Sequence, residues 1–171
     1  MTRRFVLILL AAAVANVWAH RVEAEPIKIA GHSMSCGSTP VFSDSSLRME
    51  GLFVPGKGIY LNQELMQRQP PAVRMFVFKH ECAHKVVGGN ELAADCDAAR
   101  SGAREKWLTL AGVDTVCQAL SGEPTNGRYP SGAARCANIR KCYADSSTTI
   151  VYQKSNNLQK SAGSGRLRPA Y

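Results

Sequence analysis

The sequence contains no Cys-x-x-Cys pair, which excludes both a thiolate zinc cluster and a thioredoxin-like redox site. It also lacks a basic patch interleaved with aromatic side chains. The formal charge is +8, yet from Glu25 to Ile150 fourteen Lys/Arg side chains stand against twelve Asp/Glu. The excess lies towards the ends, in Arg3, Arg4, Arg21, Lys154, Lys160, Arg166 and Arg168. Solvated termini account for such a distribution, and no nucleic-acid partner is expected. No internal repeat is present, and 171 residues are enough for one domain with one core. The apolar run Phe5 to Val14 is too short to span a bilayer.

That run follows Arg3 and Arg4 and precedes small residues at Val17-Trp18-Ala19 and Val22-Glu23-Ala24. It reads as a signal peptide over 1–19, with cleavage after Ala24 as the alternative. General secretion explains the basic start better than a twin-arginine signal. The expectation is a secreted or periplasmic monomer with no stable membrane span after cleavage. Cys36, Cys82, Cys96, Cys117, Cys136 and Cys142 remain, and an even count in an exported chain favours disulfides.

The stretch Ile27 to Asp44 reads as a short strand and a Gly/Ser-rich loop. Met49 to Val54 and Ile59 to Asn62 read as two strands joined by the turn Pro55-Gly56-Lys57-Gly58. Pro70 and Pro71 suit a helix start, and no breaker interrupts Ala72 to Val87 before Gly88-Gly89. Asn90 is a good N-cap for a second helix running from Glu91 toward Leu110. Val113 to Leu120 and Gly132 to Tyr143 are further helices, with a turn-rich loop between Ser121 and Pro130. The predicted organisation is an α+β domain over 25–145, helix-rich with a short sheet packed against the Ala72 to Val87 helix, and a disordered basic tail over 146–171.

Residues 80 to 95 read HECAHKVVGGNELAAD. Residues four apart lie on one helix face, so His80 and His84 can present two imidazole nitrogens to one metal ion, zinc by donor type. Glu81 sits about a quarter turn away, where its carboxylate reaches water held by that ion rather than the ion itself. A hydrolase requires this division of labour. Glu91 is the candidate third ligand, opening the return helix, and Asp95 follows it by four residues on the same face, placed to orient a ligand histidine. The reverse assignment, Asp95 on the metal and Glu91 outside, fits the same spacing. Cys82 or Cys96 fits less well. A chance HExxH in a chain of this composition is roughly a one-in-a-few-hundred event, which favours a metal site over two unrelated histidines.

The stretch His80 to Asp95 resembles the gluzincin metallopeptidases, in which HExxH is followed by a helix bearing ExxxD, here Glu91-Leu92-Ala93-Ala94-Asp95. With Tyr129-Pro130-Ser131-Gly132 and Arg135 on the next helix, the chain is similar to the group that includes the prenyl-protein (CAAX) endopeptidases and their small secreted relatives. The resemblance covers about Gly58 to Cys142. It implies a minimal zincin-like domain, a zinc cofactor, a peptide or protein substrate and Glu81 as catalytic base. It also implies that Gly58 to Asn62 is the edge strand along which a substrate aligns, with a plain core hairpin an equal alternative for that stretch, and that Tyr129 or Arg135 donates to the developing oxyanion. For Arg135, an ion pair with Asp95 is an equal alternative. The transmembrane segments of the membrane-bound members are missing, so a prenyl-protein substrate is not implied.

Cys82 lies inside the motif and Cys96 directly follows Asp95. A bridge between them would staple the two site helices, a short-loop closure worth roughly 3 kcal/mol. Three classes of function remain: an exported zinc peptidase, a zincin-fold protein that binds metal without turnover, and a disulfide-stabilised binding module. Glu81 favours the first, because a purely structural site needs no carboxylate beside its ligands.

Overall fold

A computed structural model describes residues 26–122 and 129–163. The signal region and its cleavage points lie outside the described residues. The architecture is α+β: among the described residues, two small sheets come first and five helices follow them. Strands β1 (Ile27–Ile29) and β2 (His32–Met34) form an antiparallel hairpin, turned at Ala30 and Gly31, both at positive φ. Strands β3 (Val41–Ser43), β4 (Gly51–Val54) and β5 (Gly58–Leu61) form a second sheet in the order β3-β5-β4. The predicted β4–β5 hairpin is present, with Gly51 opposite Leu61 and Val54 opposite Gly58. β3 adds in parallel on the other side, with Val41 opposite Ile59.

This third strand corrects the expected substrate edge. Gly58 to Leu61 is the central strand, with both of its sides paired, and the edge strands are β3 and β4. Val41–Ser43 is only three residues long inside a polar loop, too short for a periodicity to show.

Asn62 joins the sheet to α1 (Gln63–Arg68): its Oδ1 accepts from the Glu64 and Leu65 amides, and its Nδ2 donates to the carbonyls of Leu47 and Ser45. Helix α2 (Pro71–Val87) packs under the sheet, burying Phe78 against a core that includes Ile59 and Leu61. Helix α3 (Glu91–Glu105) starts from the Asn90 cap, whose Oδ1 accepts from the Ala93 amide. It buries Ala94, Ala98 and Ala99, and such small side chains let α3 lie close to both of its neighbours. Helix α4 (Leu110–Leu120) contributes Val113 and Val116 to the same core, and α5 contributes Ile139.

The final helix, α5 (Gly132–Gly163), runs well past the predicted end at Tyr143 and covers much of the stretch from Ser146 that composition marked as disordered. The polar residues there find partners within the helix. The hydroxyls of Ser147, Thr148 and Thr149 donate to the carbonyls of Tyr143, Ala144 and Asp145 one turn back, and Ser146 Oγ donates to the Arg100 carbonyl of α3. Residues 164–171 lie outside the described ones.

Three disulfides close the fold: Cys36–Cys82, Cys96–Cys142 and Cys117–Cys136. The expected Cys82–Cys96 bridge is therefore wrong, for a geometric reason. At about 100° per residue, Cys82 lies about 200° around α2 from His80, which faces α3. It points instead to the segment after β2, where Cys36 waits. Cys96 is turned from Asp95 by one residue and meets α5. Three intrachain bridges fit an oxidising, extracytoplasmic compartment. No helix among the described residues is long and apolar enough to cross a membrane.

Candidate metal centre

Helix α2 supplies half the site because its sequence gives it a defined start and stop. Pro71 occupies the first helical position, where a missing N–H is harmless. Gly88 ends the helix at φ 63° and ψ −145°, backbone angles that only glycine adopts without strain. That turn brings the Gly88 carbonyl within 2.6 Å of His84 Nδ1. A carbonyl only accepts, so Nδ1 carries the proton and Nε2 is left with a lone pair.

His80 is oriented in the same way from α3. It is 7% exposed, and its Nδ1 lies 2.9 Å from Asp95 Oδ1. Asp95, fully buried, takes two further hydrogen bonds from Arg135 of α5, Nε to Oδ2 and Nη2 to Oδ1, both at 2.8 Å. Arg135 thus holds Asp95, Asp95 holds His80, and the Nε2 of His80 faces away from both.

The two Nε2 atoms converge to 3.0 Å. Glu91 closes the group, its Oε2 at 3.1 Å from His80 Nε2 and its Oε1 at 3.9 Å from His84 Nε2. With both Nδ1 atoms donating, the two Nε2 atoms and a carboxylate converge on one point that a cation fills: a proton on His80 Nε2 shared with Glu91, or a metal ion in its place. Two imidazoles and one carboxylate are a donor set that suits zinc. Burial opposes a charge on His80, but hydrogen bonds to Asp95 and Glu91, with the fields of Asp95 and Glu81, outweigh it and push its pKa up to about 9. The hydrogen bond to His80 holds Glu91 below the usual carboxylate range against its burial. Burial would raise Asp95, but the bonds from Arg135 and His80 lower it. The group attracts positive charge.

His80, Glu81 and His84 can hold a metal ion, since one ligand atom from each lies within 4.8 Å of the others. Of the two nearby carboxylates, Glu91 is the better third ligand. It approaches both imidazoles, whereas Glu81 Oε2 accepts the Phe53 amide of β4 at 2.8 Å. Gly51 makes that reach possible: a Cβ there would stand 3.0 Å from Glu81 Cγ and 3.1 Å from Val77 Cγ1.

The structure therefore brings together His80, Glu81, His84, Glu91 and Asp95, with Arg135 behind Asp95. Between the two assignments that spacing left open, it puts Glu91 on the Nε2 side and Asp95 on Nδ1. Tyr129 precedes α5 and is 40% exposed. Two contacts were missed from sequence. Gly88 signalled a helix end but not a carbonyl for His84, and nothing in β4 announced its amide for Glu81. Gly88→Ala should weaken metal binding about tenfold, because the shifted carbonyl no longer orients His84. Competition titration against a chromophoric chelator measures this.

Comparison with protein-family models, with curated proteins and with solved structures finds no match to this chain.

Proposed function

We propose that this chain is an exported zinc metallopeptidase of the gluzincin type, with a minimal zincin-like domain. The observation that carries the reading is the convergence of His80 Nε2, His84 Nε2 and the Glu91 carboxylate, with the Glu81 carboxylate beside them at the edge strand β4. His80, His84 and Glu91 would hold the metal, leaving a position for water. When bound, zinc supplies Lewis acidity, lowering the pKa of water and polarising a carbonyl.

The remaining chemistry belongs to the chain. Asp95 and Gly88 keep the two imidazoles in the tautomer that leaves Nε2 free. Glu81 takes the proton from water as it attacks the scissile carbonyl, then passes that proton to the departing amine. An extended peptide added to β4 competes for the Phe53 amide, so its arrival frees the Glu81 oxygen now bonded there.

A second reading, metal binding without turnover, draws on that same Phe53–Glu81 bond, which can serve as a permanent tie between α2 and the sheet. The two readings separate on hydrolysis. Zinc-loaded protein should release new amino termini from an unfolded protein substrate, and a chelator should stop it. Zinc at a hundredfold excess over its Kd should also stabilise the fold by about 2.7 kcal/mol, seen as a higher melting temperature than in chelator. A melting temperature indifferent to zinc would remove the metal from the account altogether.

A further inference from the structure

The outer face of the three-stranded sheet carries an apolar row that the core does not use. Phe42 of β3 pairs with Tyr60 of β5, and Tyr60 pairs with Leu52 of β4, so the three side chains stand abreast on one face. The Phe42 and Tyr60 rings lie 5.0 Å apart. Their neighbours Val41, Ile59 and Phe53 face the other way and pack into the core. Phe42 is 43% exposed and Leu52 38%. A sheet with one wet face places polar side chains there, whereas here a whole cross-strand row is apolar.

The row ends at Leu52 because β4 is a sheet edge. It is also the strand whose outward amide, at Phe53, meets Glu81. The apolar row and the candidate centre thus share one edge, one residue apart. Resting on the peptidase reading, we infer that Leu52 is a specificity determinant, and that β4 takes an extended peptide whose side chain opposite Leu52 is large and apolar or aromatic.

The register fixes which substrate position this is. In an added strand, the residue opposite Leu52 projects onto the outer face about 5 Å away, where it continues the row Phe42, Tyr60, Leu52. Residues opposite Gly51 and Phe53 project to the other face, where Glu81 and the imidazoles stand. The selected side chain therefore belongs to the residue next to the one that meets Glu81. A charged side chain there would lie against apolar groups with no ionic partner among the three.

The test uses full-length zinc-loaded Glu81→Gln, which keeps the edge and the ligands but lacks the base, titrated with octapeptides that carry Phe, Leu, Ser, Asp or Lys at one scanned position. Phe and Leu should bind best at a single position, by about fivefold over Ser. Adding Leu52→Glu should abolish that preference and favour Lys at the same position. Leu52 is exposed, so this variant should melt with its parent, which checks the fold. Absence of binding, a preference indifferent to Leu52, or a Leu52-dependent dimer of the peptide-free protein would each overturn the inference. Selective binding together with a wild-type protein that never cleaves would uphold it and overturn the peptidase reading. Cleavage by wild type without an apolar preference would do the reverse.

Discussion

Glu81→Gln should lower kcat for peptide hydrolysis by about 10²–10⁴-fold and leave zinc affinity and melting temperature near those of wild type. The expectation follows from what the amide keeps and what it loses. Glutamine has the length of glutamate and still presents a carbonyl oxygen to the Phe53 N–H, so the tie between α2 and β4 survives. The proposed ligands His80, His84 and Glu91 are unaltered. Glutamine cannot take a proton from water at neutral pH. Loss of rate without loss of fold or metal therefore isolates proton transfer, with initial rates and a chelator competition as the two readouts. If Glu81 were only a structural tie, Gln would leave any hydrolysis unchanged and Glu81→Ala would lower the melting temperature. Full activity in the Gln variant would defeat the mechanism.

Asp95→Ala should destabilise the protein by about 3–5 kcal/mol and weaken zinc binding by about 10–100-fold. Asp95 is fully buried and accepts from both Arg135 and His80. Removing it takes from the part-buried Arg135 guanidinium the carboxylate that accepts two of its hydrogen bonds, and frees the His80 ring to turn. Denaturant unfolding of the metal-free protein measures the first effect and competition titration the second. The pairing matters: Arg135→Met together with Asp95→Leu replaces the ion pair by apolar volume and should recover much of the stability but none of the metal affinity. If the double variant also recovered zinc binding, Asp95 would have no part in orienting His80.

Much of this site was legible because helical spacing is rigid. The four-residue steps from His80 to His84 and from Glu91 to Asp95 fix shared faces, and Gly88 with Asn90 fixes the reversal between the helices. What spacing could not decide was which carboxylate of the second pair faces the metal, since that depends on the rotation of α3 against α2. Small side chains at Ala94, Ala98 and Ala99 set that rotation by packing, and their sizes are visible in the sequence while their partners are not. The substrate edge was misplaced because β3 is three residues long and joins by parallel pairing from a distance, which leaves no local signature. The Cys82–Cys96 expectation fails because residues that adjoin the motif in sequence point away from each other in space. The long α5 was cut short because hydroxyl groups that bond back within a helix are indistinguishable, by composition, from those of an unstructured tail.

The three bridges have a further meaning when set beside the centre. Cys82 follows Glu81, Cys96 follows Asp95 and Cys136 follows Arg135, so every disulfide grips the chain one residue from a group that shapes the site. By loop closure the two bridges that span 46 residues are worth about 4 kcal/mol each, a large share of a domain's usual margin of about 5–15 kcal/mol. A chain kept among free thiols has none of these grips, and Glu81, Asp95 and Arg135 are then held by non-covalent contacts alone. The oxidation that closes the fold is thus also what fastens Glu81, Asp95 and Arg135 to their places in the candidate centre.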